Sequence, residues 1–447
     1  VTVAPPLAGA GLDRYRRELE ALGEGTKEPS WLRARRLAAF ERFKGRGFPT
    51  AREEAWRQTS VARIAGTAFS RPDPGGRGDA VAKAAGLPDL GGPTAVFVDG
   101  RFSSTLSAGE GGAGVEVTSL REALQKAPSR LEPLWTLPAE ATTSAFGDLN
   151  AALHDDGAVV FLAPGAIAAK PLHLVFLSTH GNGTPFASHP RSLVVAGKGS
   201  EARIVETHLG PDGTVYLANA VTEVHVGEGA SVHHYRLQRE GEAAFHVGRL
   251  SVRLDRDGRF RDQSISLGAS LARHDIDVTF AGEGAECSLE GLFFADGDRT
   301  TDVHTRIDHA APHCASRELY KGILDGRGRG VFHGLVVVRP GAQKTDAMQS
   351  NKNILLSRQA LVSSTPQLEI LADDVKCKHG STTGQLDPVA VFYLRSRGIG
   401  EGEARALLTS AFAGELVGKI EIGALRAAVE AELEARLARA PRAGEAA

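Results

Sequence analysis

Four short segments recur along the chain: "GKGSEARI" from Gly197, "GEGASVHHY" from Gly227, "DGRFRDQSI" from Asp257 and "GEGAECSLE" from Gly282. Aligned on Gly199, Gly229, Gly258 and Gly284, they lie 30, 29 and 26 residues apart. In each unit a turn glycine precedes alternating side chains, such as Ala202, Ile204 and Val205, or Val232 and Tyr235. A drifting period of this size is what stacked strand-turn coils produce, since every coil must return over its neighbour. A β-sandwich also gives short strands and turns. The recurrence favours a solenoid, a parallel β-helix.

The texture of the rest sets the expected boundaries. Residues 1–93 read as a helical N-terminal region. Ser30 is placed to cap a helix carrying Leu37, Phe40 and Phe43, which Gly45 and Gly47 stop. Thr50 and Glu53 have capping-box spacing, which predicts a second helix there. Residues 70–93, rich in Pro and Gly, read as a linker, and 94–156 as a mixed α/β connection opened by the strand "TAVFVDG". The β-helix core is expected over 157–385, with Asn351 and Asn353 on one face and able to stack between coils. At 386–440 a helical region follows, started by Asp387 as N-cap and Pro388 at the first helical position. Within it Ala404, Leu408, Phe412, Leu416 and Ile420 form an apolar stripe at four-residue spacing. Residues 441–447 read as a frayed tail.

Several functions are disfavoured. With 52 basic and 54 acidic residues the charge is nearly balanced, which gives no field for nucleic acid or an anionic membrane. Three scattered cysteines, Cys287, Cys314 and Cys377, argue for a reducing compartment, and a cytoplasmic location is expected. The most apolar stretch, 158–177, is cut by Pro164, Gly165, Lys170, Pro171 and His173 and is no membrane span. "GEGGAG" at 109–114 has the G-x-G-x-x-G spacing but no preceding strand or surrounding βαβ unit. "GKGS" at 197–200 lacks the residues of a phosphate loop, so ATP hydrolysis by this chain is not expected. The cluster His304, His309, His313 and Cys314 fits no common zinc spacing, and His304 and His309 fall on opposite faces of a strand. The His233–His234 pair alternates faces in the same way. Acid pairs (Asp373–Asp374, and Asp302 with Asp308) leave a carbohydrate-active β-helix enzyme as one alternative. A stand-alone metal-binding protein is another.

One stretch concentrates soft ligands. If "ADDVKCKH" is a strand, Val375, Cys377 and His379 share a face and Lys376 and Lys378 take the other. Lysines avoid a narrow interior, so Cys377 and His379 face the lumen or whatever caps it. This is the last strand before the helices, and a terminal coil must be capped or docked on a partner. A thiol and an imidazole there suit iron or a transient cluster. Ordinary core packing is the alternative.

The ordered series "VVVRPGAQKTDAMQSNKNILLS", "PQLEILADDVKCKHGSTTGQLD" and "FYLRSRGI", together with "FPTAREEAWRQTS", resembles the SufB/SufD family of iron–sulfur cluster assembly proteins, most like SufD. Residues 300–420 match densely, whereas the family's N-terminal signature is more lysine-rich than "AREEAWRQT". The resemblance implies a right-handed parallel β-helix between helical regions. It implies a non-enzymatic scaffold subunit for cluster assembly and iron acquisition, paired with a SufB-like subunit and bound to a SufC-like ATPase. The family's SufC contact on the C-terminal helices gives Leu408, Phe412 and Leu416 a role. The family histidine at the SufB–SufD junction falls on His379, with Cys377 two residues before it. No tightly bound cofactor is implied in the isolated chain, only a transient cluster or iron shared with SufB. A homodimer of the isolated chain is compatible.

Overall fold

The computed structural model describes residues 10–23, 28–72, 86–135, 144–179 and 183–439. Part of the expected linker at 70–93 and all of the tail at 441–447 lie outside them. Two ten-stranded sheets face each other across a narrow lumen. Sheet I runs through Thr94–Val98, Leu172–Leu177, Glu201–Leu209, Ser231–Arg239, Arg259–Ser266, Glu286–Ala295, Ala315–Leu324, Asp346–Leu355 and Lys376–Gly384. Sheet II runs alongside through Ala158–Leu162, Arg191–Ala196, Tyr216–Val226, Phe245–Leu254, Leu271–Phe280, Thr300–His309, Arg329–Val338 and Leu361–Ile370. The chain alternates between the sheets and pairs in parallel with the coil before, giving a β-solenoid of about seven turns.

The recurrence seen in the sequence is a backbone requirement. The residue two before each of six consecutive sheet I strands, from Glu201–Leu209 to Asp346–Leu355, has positive φ: Gly199, Gly229, Asp257, Gly284, His313 and Lys344, spaced 30, 28, 27, 29 and 31 residues apart. Aligning on Gly258 was therefore one residue off, because Asp257 takes the left-handed position in that coil (φ 55°). Asp tolerates this conformation better than most side chains. His313 takes it two coils further on (φ 59°), which explains its place in the histidine cluster as a corner residue.

Inward side chains form apolar stacks at both lumen edges, for example Ala202, Val232, Phe260 and Cys287 facing Val226, Leu254 and Phe280. Between them the middle of the lumen is polar. His234 Nδ1 meets Asp262 Oδ1 at 2.7 Å, and Asp262 Oδ2 accepts from Ser264 Oγ at 2.7 Å. Glu206 meets His208 Nε2 at 2.6 Å and accepts from Thr222 Oγ1 at 2.8 Å. Burial alone would lower the His234 pKa, but its hydrogen bonds to Asp262 and Glu206 prevail and push it up to about 9. Asn351 and Asn353 are also in the lumen, yet they bond to each other within one strand (Nδ2 of Asn353 to Oδ1 of Asn351, 2.6 Å). Asn351 Nδ2 then reaches back to the Tyr320 carbonyl of the preceding coil at 3.2 Å.

Helices cover the outer faces. At the N-terminus are α1 (Ala10–Gly23), α2 (Ser30–Arg46) and α3 (Ala62–Gly66). They are followed by α4 (Leu120–Lys126), α5 (Pro128–Leu131) and α6 (Ala145–Leu153). Tyr15, Phe40, Phe43, Trp56 and Phe146 pack onto Leu217, Phe245 and Leu271 of sheet II. Ser30 lies inside α2 and makes no capping bond, and Leu37 is exposed. The Thr50–Glu53 box forms, with Thr50 N–H donating to Glu53 Oε1 at 3.0 Å, but it opens only a short 3₁₀ turn at Glu54–Trp56. The C-terminal helices are α7 (Pro388–Ser396), capped by the Asp387 carboxylate, α8 (Glu401–Val417) and α9 (Gly423–Arg439). The last two bury Leu416, Ile420, Leu425 and Val429 against Val205, Leu237, Ile265, Phe294 and Ile323 of sheet I. Among the described residues no helix is long and apolar enough to cross a membrane.

Two outcomes follow. Gly282 sits where a Cβ would lie 2.1 Å from the Arg256 amide nitrogen of the coil below, while Gly341 has nothing within 4 Å. Gly282→Ala is expected to cost about 2 kcal/mol or more in urea unfolding, and Gly341→Ala within about 0.5 kcal/mol of none. The raised pKa of His234 stabilises the fold fully below the unfolded value of about 6.5. That contribution is lost as pH rises through about 9. Wild-type stability minus that of His234→Gln, measured across this interval, should shrink as pH rises.

Candidate functional site

Both sheets end at the same place. Leu361–Ile370 is the last strand of sheet II and Lys376–Gly384 the last strand of sheet I, so each presents an unpaired edge. The register places Cys377 beside Ala347 and His379 beside Gln349. Ala347 and Gln349 are buried lumen residues, so Cys377 and His379 continue inward-facing columns onto a rung with no coil above it. Cys377 is half-buried and packs against the lumen core, whereas His379 is exposed. Burial pushes the Cys377 thiol above its ordinary pKa, so in the isolated chain it is held as a thiol rather than a thiolate. Lys376 and Lys378 alternate with them, as strand geometry requires. Across the mouth Ser381 Oγ donates to Ser364 Oγ at 2.8 Å and ties the two terminal strands together. Exposed Ile370 and Leu371, at the end of the last sheet II strand, give the mouth a short apolar rim.

Sequence reasoning did not pick out Ser364 or the rim. The rim residues read as ordinary strand positions, and only the absence of a further coil exposes them.

The other candidate histidines and cysteines are dispersed. His304 lies on the outer face of sheet II, 2.9 Å from Asp302 Oδ1 and stacked on His333 at 5.0 Å. His309 points into the lumen, bonds Ser316 Oγ at 2.9 Å and stacks on Phe280. Cys314 is buried at the lumen edge. His233 stacks on Tyr235 outside the sheet while His234 is inside. Among the described residues no three His, Cys, Asp or Glu side chains converge as a metal site.

The apolar stripe on α8 faces the solenoid. Leu416 is 2% exposed, and Phe412 is half-buried beneath the Lys321 ammonium, whose nitrogen lies 4.3 Å from the ring centroid and donates to the Phe412 carbonyl at 2.7 Å. Leu408 is half-buried. The cause is the apolar outer face of sheet I, which water would otherwise meet. The exposed apolar surface lies instead on α7, at Val389 (72% exposed), Phe392 (70%) and Tyr393 (57%), with Leu407 of α8 nearby in sequence. Their i, i+3, i+4 spacing in "PVAVFYL" was the available signal.

Comparisons with known proteins agree with this architecture. Residues 176–412 match the model of the SUF system FeS cluster assembly SufBD core domain, and residues 12–174 that of the SufBD protein N-terminal region. An iron-sulfur cluster assembly SufBD family protein of Synechocystis is 33% identical over 92% of this chain and 93% of its own length. The iron-sulfur cluster assembly protein SufD of Escherichia coli is 31% identical over 88% of this chain and 90% of its own. The chloroplastic protein ABCI7 of Arabidopsis thaliana is 33% identical over 61% of this chain and 60% of its own. With two family models that together span most of its length, the chain belongs to the SufBD family of iron–sulfur cluster assembly proteins.

Proposed function

We propose that this chain is the SufD-type, non-enzymatic subunit of a SufB–SufC–SufD scaffold. Its open solenoid end pairs with a SufB-like subunit, and its C-terminal helices receive a SufC-like ATPase. The observation that carries this is the position of His379. It stands on an uncapped terminal strand, facing the lumen, and only residues 385–387 separate the end of that strand at Gly384 from the start of α7 at Pro388.

Paired edges explain the mouth. Two rows of unsatisfied backbone groups with an apolar rim favour strand addition from another solenoid end. A second copy of this chain would satisfy the same edges, which makes a homodimer the resting form when SufB is absent. His379 and Cys377 contribute an imidazole and a thiol to a junction whose remaining ligands come from SufB. Iron and sulfide are the cargo assembled there, and the isolated chain holds little of either because its own ligands are too few. Soft and borderline donors suit that cargo. The protonated Cys377 makes His379 the primary group of the two.

Docking of the ATPase is best served by α7. Val389, Phe392 and Tyr393 are exposed, while Leu416 is occupied by the solenoid. Of the stripe residues Leu408, Phe412 and Leu416, the first two keep partial exposure and lie at the margin of the surface. Nucleotide-driven movement applied to α7 reaches the terminal strand through residues 385–387 and opens or closes the junction around His379.

Two experiments test these assignments. His379→Ala should leave complex formation intact and slow cluster formation on the complex by roughly tenfold or more. A normal rate in an intact complex removes the site. Phe392→Asp, combined with Val389→Asp, should weaken capture of the ATPase subunit by about tenfold or more while the unfolding midpoint stays put. Leu416→Ala should do the reverse, lowering stability by about 2–5 kcal/mol. Unchanged ATPase binding in the double variant would move the docking surface off α7.

A further inference from the structure

One inward column of sheet I contains, from coil to coil, Ile204, His234, Asp262, Leu289, Glu318, Gln349 and His379. Leu289 separates the His234–Asp262 pair from the last three, which form a unit of their own at the open end. Glu318 and Gln349 are 4% and 2% exposed. Gln349 donates from Nε2 to Glu318 Oε2 at 2.7 Å. Its Oε1 is then left buried with no hydrogen-bond partner. On the opposite wall stands Gly334, where a Cβ would lie 2.2 Å from Gln349 Nε2. A glycine there is what allows the amide to cross the lumen. His379 is the next side chain in the column, about 4.8 Å along the hydrogen-bonding direction. A buried acceptor without a donor costs about 1–3 kcal/mol; the imidazole of the next rung carries an N–H, although no bond between it and Oε1 is made in this structure.

We propose that Gln349, fixed by Glu318, is a positioning residue for His379: its Oε1 accepts one ring N–H and turns the lone pair of the other ring nitrogen toward the open mouth. The proposal rests on the reading of His379 as the working group of the junction. An imidazole ligand with its second nitrogen tied down keeps one tautomer and one orientation. Untethered, an exposed histidine at a sheet edge samples several rotamers and both tautomers. Burial pushes the Glu318 carboxyl up to about 7, against the pull of Thr305 and Gln349. Charged or neutral, it retains an oxygen that accepts from the amide, so the column holds on both sides of neutrality.

The test uses the isolated full chain with histidine-selective isotope labelling. His379 is assigned by difference with His379→Asn, and its tautomer is read from long-range proton–nitrogen correlations where the ring is neutral. The wild type should show one dominant tautomer, as should Glu318→Gln, which keeps an acceptor for the Gln349 amide. In Gln349→Met and Glu318→Met the ratio should fall by about two- to tenfold, the equivalent of one net hydrogen bond. The signals of buried His234 and His246 should stay in place, which shows the fold is intact. An unchanged ratio in Gln349→Met overturns the proposal. Should that variant fail to fold, an even mixture of tautomers in the wild type overturns it just as well. The readout needs no partner, so it stands or falls separately from the effect of His379→Ala on assembly.

Discussion

The structure depends on parallel backbone pairing that never slips register. Each coil lies on the one before with its strands hydrogen-bonded residue for residue, so a side chain facing inward in one coil faces inward in all. A single-residue slip would exchange the lumen face for the outer face. The left-handed residue before six successive sheet I strands sets the return to register there, and glycine is only the least strained way to supply it. Asp257, His313 and Lys344 do the same work. This makes the molecule a set of columns, and the meaning of a residue depends on its height in its column. In one column the same inward position is an aliphatic core residue at Ile204, half of a buried ion pair at Asp262 and an exposed imidazole at His379.

A stacked fold also has ends, and the two ends here differ. The N-terminal end is closed by an antiparallel hairpin, Thr94–Val98 with Arg101–Phe102, and by Val115–Ser119 lying antiparallel on Ala158–Leu162. The other end has no such cap. Its sheet I edge strand carries a thiol and an imidazole on the lumen side and Lys376 and Lys378 on the outer side, while Pro366 and Glu369 on the sheet II edge are of the kind that blunts an edge.

Much of this was legible in the chain because it is periodic. The solenoid, its approximate start and the face shared by Cys377 and His379 all follow from alternation and turn spacing, which local backbone geometry enforces. What escaped was set by tertiary cover. The α8 stripe at Leu416 reads identically whether it faces a partner or the molecule's own sheet, and sheet I has an apolar outer face that claims it. The Thr50–Glu53 box formed but was not followed by a helix, since Trp56 turns in to pack on Phe146 and under Arg273. The histidine cluster at 304–314 fell apart because a strand and a corner send adjacent side chains to different places. Glu318 gave no signal at all. A glutamate is notable only when its burial and its partner two coils from the mouth are known.

Helix α7 follows the terminal strand after three residues and leaves an apolar face exposed. Helices α8 and α9 are fixed to sheet I by an apolar seam and by polar ties such as Arg261 to Glu421 at 2.9 Å and Lys419 to Glu290 at 2.7 Å. Helix α7 has no buried residue, yet it sits between that anchored pair and the least supported strand of the solenoid. Helix α7 is tied to α8 by Arg395 and Glu401 at 3.3 Å, and the terminal strand is tied across the mouth by Ser381 and Ser364 at 2.8 Å. Local opening concentrates where buried contacts are fewest. The column Glu318–Gln349 sits directly under that strand and is buried, whereas His379 on the strand itself is exposed, so the imidazole stands where the packed lumen gives way to an open rung.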